Sequence, residues 1–102
     1  MKIFTKNING SSGISPKPKA GNGSCWREFW EIKKDARFNP FEFYVCPGCG
    51  NKILGMSLLG CHVKKVGYLD NKWYIVPMCK SCNNKHDKNF FIEDNLLVPV
   101  ND

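Results

Sequence analysis

The chain contains no run of apolar residues approaching the roughly 20 that a membrane-spanning helix needs, so a helical membrane protein is not expected. Its opening, MKIFTKNINGSSG, has an early lysine but no apolar stretch before it turns polar, so it does not read as a secretory signal. A cytoplasmic location follows as the expectation. Acidic residues are scarce, 9 against 15 Lys and Arg, for a net charge of +6. No internal repeat is visible, which sets aside solenoids and repeat arrays.

What is present fits one small domain. At 102 residues a single apolar core is marginal, so a cross-link or metal would matter. Hydrophobic residues make up 42% and aromatics 13%, too many for a disordered chain. In a reducing compartment six cysteines are expected as metal ligands rather than disulfides. The positive charge is uneven. Between Cys46 and Ile92 stand seven lysines (52, 64, 65, 72, 80, 85, 88) against Asp70 and Asp87, or 7 − 2 = +5. That half would attract a polyanion, although a soluble lysine-coated face has the same composition.

Along the chain, KIFTKNI is compatible with a short strand. NGSSGISPKPKAGNGS, with Pro16 and Pro18, reads as loop, so residues 1–23 are expected to form a flexible arm and residues 24–102 the domain. SCWREFWEIKKDA, residues 24–36, is the best helix candidate. Ser24 suits the N-cap, Cys25, Phe29 and Ile32 recur at helical spacing, and Lys33 and Lys34 suit the C-terminal end. Trp26 and Trp30 form a neighbouring stripe, expected to pack in the core. Short strands are expected at 41–45, 52–55, 58–66 and 72–77, with a turn at GYLDN. KSCNNKHDK should open a short helix, and FFI and LLVPV should close the domain, Pro99 making the last strand an edge. The class is α+β.

Two Cys-x-x-Cys pairs carry the chemistry, Cys46-Pro-Gly-Cys49-Gly and Cys79-Lys-Ser-Cys82, separated by 29 residues. Two thiolates in such a turn reach one ion at about 2.3 Å each, and four soft ligands in two pairs favour structural Zn²⁺ over hard cations. A redox dithiol and two disulfides are the alternatives, and neither explains both pairs at once. Cys25 is expected on the apolar face of the helix.

A Cys-x-x-Cys turn, a hairpin carrying GCHVKK and a helix opened by PMCKSCNNK together resemble the treble-clef zinc form of the HNH endonuclease family, over residues 44–88. The resemblance implies a ββα unit, with the N-terminal helix packed on it. It also implies phosphodiester hydrolysis: His62 as general base on a water, Asn83 as helix ligand for a catalytic Mg²⁺ or Mn²⁺, and Lys85 near phosphate. Cys61 stands where the family commonly has Asp, Glu or His, and the family's middle asparagine has only Asn71 nearby. Three readings of Cys61-His62 remain: an active variant using a softer metal, a degenerate site on a nucleic-acid-binding scaffold, or a core cysteine beside a structural histidine. His86 is either phosphate-facing or a solvated helix residue.

Three functions follow. One is a metal-dependent DNase. The second is an inactive zinc module binding DNA or RNA, DNA favoured, through Lys64, Lys65, Lys80, Lys85 and Lys88. The third is a regulator that binds a protein partner through its aromatic N-terminal half.

Overall fold

A computed structural model describes residues 1–8, 25–67, 72–85 and 88–100. Most of the arm, Ser24, most of the GYLDN turn (including Asn71) and His86 lie outside the described residues. Among the described residues seven strands and two α-helices follow one another: β1 (Lys2–Asn7), α1 (Trp26–Lys34), β2 (Phe43–Val45), β3 (Lys52–Leu54), β4 (Leu59–Lys65), β5 (Tyr74–Met78), α2 (Lys80–Asn83), β6 (Asn89–Glu93) and β7 (Val98–Pro99). Five strands form one antiparallel sheet in the order β6-β1-β4-β5-β7, and β2 and β3 form a separate hairpin. The α+β class is therefore correct, and Pro99 does lie in an edge strand.

The domain boundary at residue 24 needs correction. KIFTKN is an interior strand of the sheet, paired with β4 on one flank and β6 on the other. Its alternation places Ile3, Thr5 and Asn7 in the interior, so the N-terminal residues belong to the domain rather than to an arm. The loop composition that follows them says nothing about a strand whose partners lie more than fifty residues away.

Strand β5 is buried along its whole length because both of its faces are covered. Tyr74, Val76 and Met78 join a cluster with Val63, Phe90, Ile92 and Cys46, Cys61, Cys79 and Cys82. Ile75 turns the other way, toward Phe29, Trp30 and Val98. Thus YIVPM reads as a continuous apolar run, and the sheet has a sulfur side and a helix side.

Helix α1 lies on the helix side, over β4, β5 and β7. Trp26, Phe29 and Trp30 face the sheet at i, i+3, i+4 spacing, whereas Ile32 is 45% exposed and Cys25 is exposed at the N-cap. The apolar stripe is therefore centred on the tryptophans, and Cys25 does not fill the core. The Trp30 indole N–H donates to the Leu96 carbonyl at 2.7 Å, and its ring stacks on Phe38 at 5.3 Å. Asp35 ends the helix in the left-handed region at φ 52, after Lys33 and Lys34 in the last turn. The helix starts directly over Gly60, where an added Cβ would lie 2.5 Å from the backbone of Trp26. Arg27 extends from that first turn to the carbonyls of Gly55, Met56 and Leu58 at 3.2, 3.3 and 3.5 Å, anchoring the turn before β4.

Candidate metal centre

The first cysteine pair sits in the tight turn between β2 and β3. Register pairs Val45 with Lys52, so residues 46–51 must reverse the chain. The Cys46 N–H donates to the Asn51 carbonyl and the Gly50 N–H to the Cys46 carbonyl, both at 2.8 Å. Gly50 makes the reversal in the left-handed region at φ 79, where a side chain would be strained. Gly48 brings the turn against the second pair, since a Cβ there would sit 3.0 Å from Cys82 Sγ and 2.8 Å from Met78 Sδ.

The second pair opens α2. Cys79 is its N-cap and Cys82 lies in its first turn, with the Asn83 N–H bonded to the Cys79 carbonyl at 2.9 Å. The Cys79 N–H points at Cys46 Sγ from 3.3 Å, joining the two turns. Cys46 and Cys82 sulfurs are 3.8 Å apart, as are those of Cys49 and Cys79, and all four lie within 4.8 Å of one another. A tetrahedral ion with bonds of about 2.3 Å requires sulfurs separated by about 3.8 Å. A disulfide requires about 2.05 Å, and all six cysteines are free thiols. These four cysteines could hold a zinc ion.

The electrostatics of the bare cluster point the same way. Burial pushes the Cys46 and Cys82 thiols up, whereas the Asn51 backbone N–H brings the more exposed Cys49 down to about 7. Buried thiolates are unfavourable without a counter-charge, and a divalent cation supplies one, because a coordinated thiol is deprotonated outright. Hydrogen-bond donors aimed at the sulfurs share the remaining charge.

The proposed catalytic pair is arranged differently. Strand alternation turns Cys61 toward the sulfur side and His62 toward the helix side. His62 is 4% exposed, its ring edge-on to Trp26 at 4.9 Å and to Trp73 at 6.1 Å. Burial lowers its pKa and keeps it neutral. Asn83 instead borders a cavity of about 350 Å³ with Cys25, Trp26 and Gly60, which His62 does not line. Among the described residues, the four cysteines are the one group of three or more His, Cys, Asp or Glu that could hold a metal. No second metal site joins His62 to Asn83 there.

Sequence reasoning missed Asn7. Its buried amide donates to the carbonyls of Cys82, Asn83 and Lys85 at 3.0, 3.1 and 2.9 Å, while its Oδ1 accepts from Cys61 Sγ at 3.3 Å. The space between Cys61 and α2 is thereby filled by a side chain from the first strand. Burial pushes Cys61 up to about 12, so it is a neutral thiol donor. The available signal was the position of Asn7 on the interior face of KIFTKNI, where a polar residue must find partners.

The five lysines do not form one patch. Lys64 and Lys65 point to opposite faces of β4, and Lys65 is half-buried, 3.6 Å from Asp94 and over the Tyr74 ring. Lys80, Lys85 and Lys88 are exposed around α2 and the start of β6. In the aromatic N-terminal half Trp30 is buried, whereas Phe4, Phe41 and Phe43 are exposed. In comparisons with known proteins, no family model, no curated protein and no solved structure matches this chain.

Proposed function

We propose that the protein is a zinc-stabilised, treble-clef-type module that binds nucleic acid without cleaving it. The observation that carries this reading is the separation of the two chemistries. The four sulfurs stand at zinc spacing, while His62 is enclosed between Trp26 and Trp73. A general base must reach the water it activates, and an edge-packed, 4% exposed imidazole does not. The order of turn, hairpin and helix around the sulfurs supports the treble-clef reading. It equally supports kinship with HNH domains whose catalytic metal site has been lost, because Asn7 occupies the ground between residue 61 and α2. Nucleic acid is favoured as the partner by the net charge of +6 and by the exposed Lys64, Lys80, Lys85 and Lys88.

Two measurements on the purified protein test this. Elemental analysis should return one zinc per chain, and a mobility shift with DNA should weaken steeply as salt rises. Plasmid incubated with Mg²⁺, Mn²⁺, Ni²⁺ or Zn²⁺ should remain intact. Nicking that disappears in His62→Ala would restore the endonuclease reading, and DNA binding indifferent to salt would remove the lysines from it.

A further inference from the structure

Helix α1 covers β4, β5 and β7; among the described residues no helix covers the β1–β6 half of the same face. There, alternation in β1 turns Lys2, Phe4 and Lys6 outward. In register, Phe91 stands opposite Phe4, and Lys64 stands opposite Lys6. Phe4 is 36% exposed and Phe91 61%, their rings tilted together with centroids 4.7 Å apart. Val66, 38% exposed, extends the strip, its N–H bonded to the Phe4 carbonyl at 2.9 Å. On the acidic side, Glu93 stands opposite Lys2 and accepts from the Met1 amino group at 3.0 Å.

Two features of this face suit one ligand. Lys2, Lys6 and Lys64 give it positive charge, which attracts phosphate. Exposed phenylalanines on a sheet present flat apolar rings to water, and every nucleobase has a complementary π-face. In a duplex those faces are hidden in the stack. In a single strand they are available.

We propose that the β1–β6 half of the sheet binds single-stranded nucleic acid, bases stacking on Phe4 and Phe91 and phosphates resting on Lys2, Lys6 and Lys64. This rests on the nucleic-acid reading above and names the form of the ligand and the surface that takes it. The surface is on the side of the sheet away from the cysteines, so zinc contributes to it only by maintaining the fold.

The test is fluorescence anisotropy with a labelled oligothymidylate of about 12 nucleotides and with its oligoadenylate duplex. Single strand should bind more tightly than duplex. Phe4→Ala and Phe91→Ala should each weaken single-strand binding about tenfold and leave duplex binding unchanged. Phe41→Ala, at a residue 77% exposed elsewhere, should change neither. Replacing Lys6 and Lys64 together by Gln should flatten the slope of log affinity against log salt by about 1.4. Unchanged zinc content and circular dichroism verify that each variant is folded. Full single-strand affinity in both phenylalanine variants overturns the inference. If duplex binding is then still present, the broader nucleic-acid reading stands without it; if neither nucleic acid binds the wild type, both fall. Binding to anionic lipid vesicles in place of the oligonucleotide, lost in Phe4→Ala, would also overturn it.

Discussion

The two sides of strand β4 are built from different materials. On one, Cys61 and Val63 meet sulfur atoms, a buried asparagine and the first turn of α2. On the other, Gly60 and His62 meet the backbone and rings of α1. The sulfur side is joined by directional contacts that one ion would complete. The helix side is joined mainly by area and shape, with the rings of Trp26 and Trp73 against His62. A shift of one residue along the strand would exchange the environments, giving the histidine to α2 and the thiol to the tryptophans. Chemistry is therefore assigned by parity rather than by residue type.

The largest effect should come from the sulfur side. Strong chelation, or Cys82→Ser, should remove on the order of 10 kcal/mol and with it the cooperative thermal transition followed by circular dichroism. An unchanged transition after complete zinc removal would mean that the helix side alone sustains the fold. On that side, Trp30→Ala should cost about 4 kcal/mol in a denaturant titration, through lost packing on Phe38 and an unpaired Leu96 carbonyl, with zinc stoichiometry intact. If zinc were lost as well, the two sides would be one cooperative site.

Asn7→Ala should cost about 3 kcal/mol, because it leaves the Cys82, Asn83 and Lys85 carbonyls without their shared donor. It should also speed zinc release to a colorimetric chelator, since α2 holds two of the sulfurs; release at the wild-type rate would detach Asn7 from the metal centre. The smallest effect concerns pH. His62 is held below its usual value of 6.5 by burial, so the unfolded chain binds its proton first. Its contribution is complete above pH 6.5 and is lost as pH falls through the lower folded value. Wild type should lose stability faster than His62→Gln in that window, by at most about 1.4 kcal/mol per pH unit, whereas acid loss of zinc affects both proteins alike. Parallel curves for the two would place the imidazole in water.

Much of the layout was legible along the chain. Helix, hairpins and closing strands lie where apolar spacing and turn residues indicate, because these signals act over a few neighbouring residues. The tryptophans of the helix pack inward as their stripe indicates, while Cys25 and Ile32 fall at its edge. Cys25 and Ile32 have the right spacing, but Trp26 and Trp30 bury more area, and the larger rings decide which way the helix turns. The first strand reads as part of an arm because its partners, β4 and β6, are remote in sequence. The chain neighbours of His62 suggest a catalytic site, while its neighbours in space are Trp26 and Trp73.

The four zinc-spaced thiols follow from the sequence alone: two residues between cysteines, beside glycine in one turn and at a helix start in the other, leave few arrangements for the sulfurs. Which groups face them does not. Packing of distant strands put Asn7 beside Cys61 and tryptophans around His62, and those neighbours determine whether an imidazole can meet water. Local spacing controls which atoms can share an ion; only the assembled sheet controls what each side of a strand encounters.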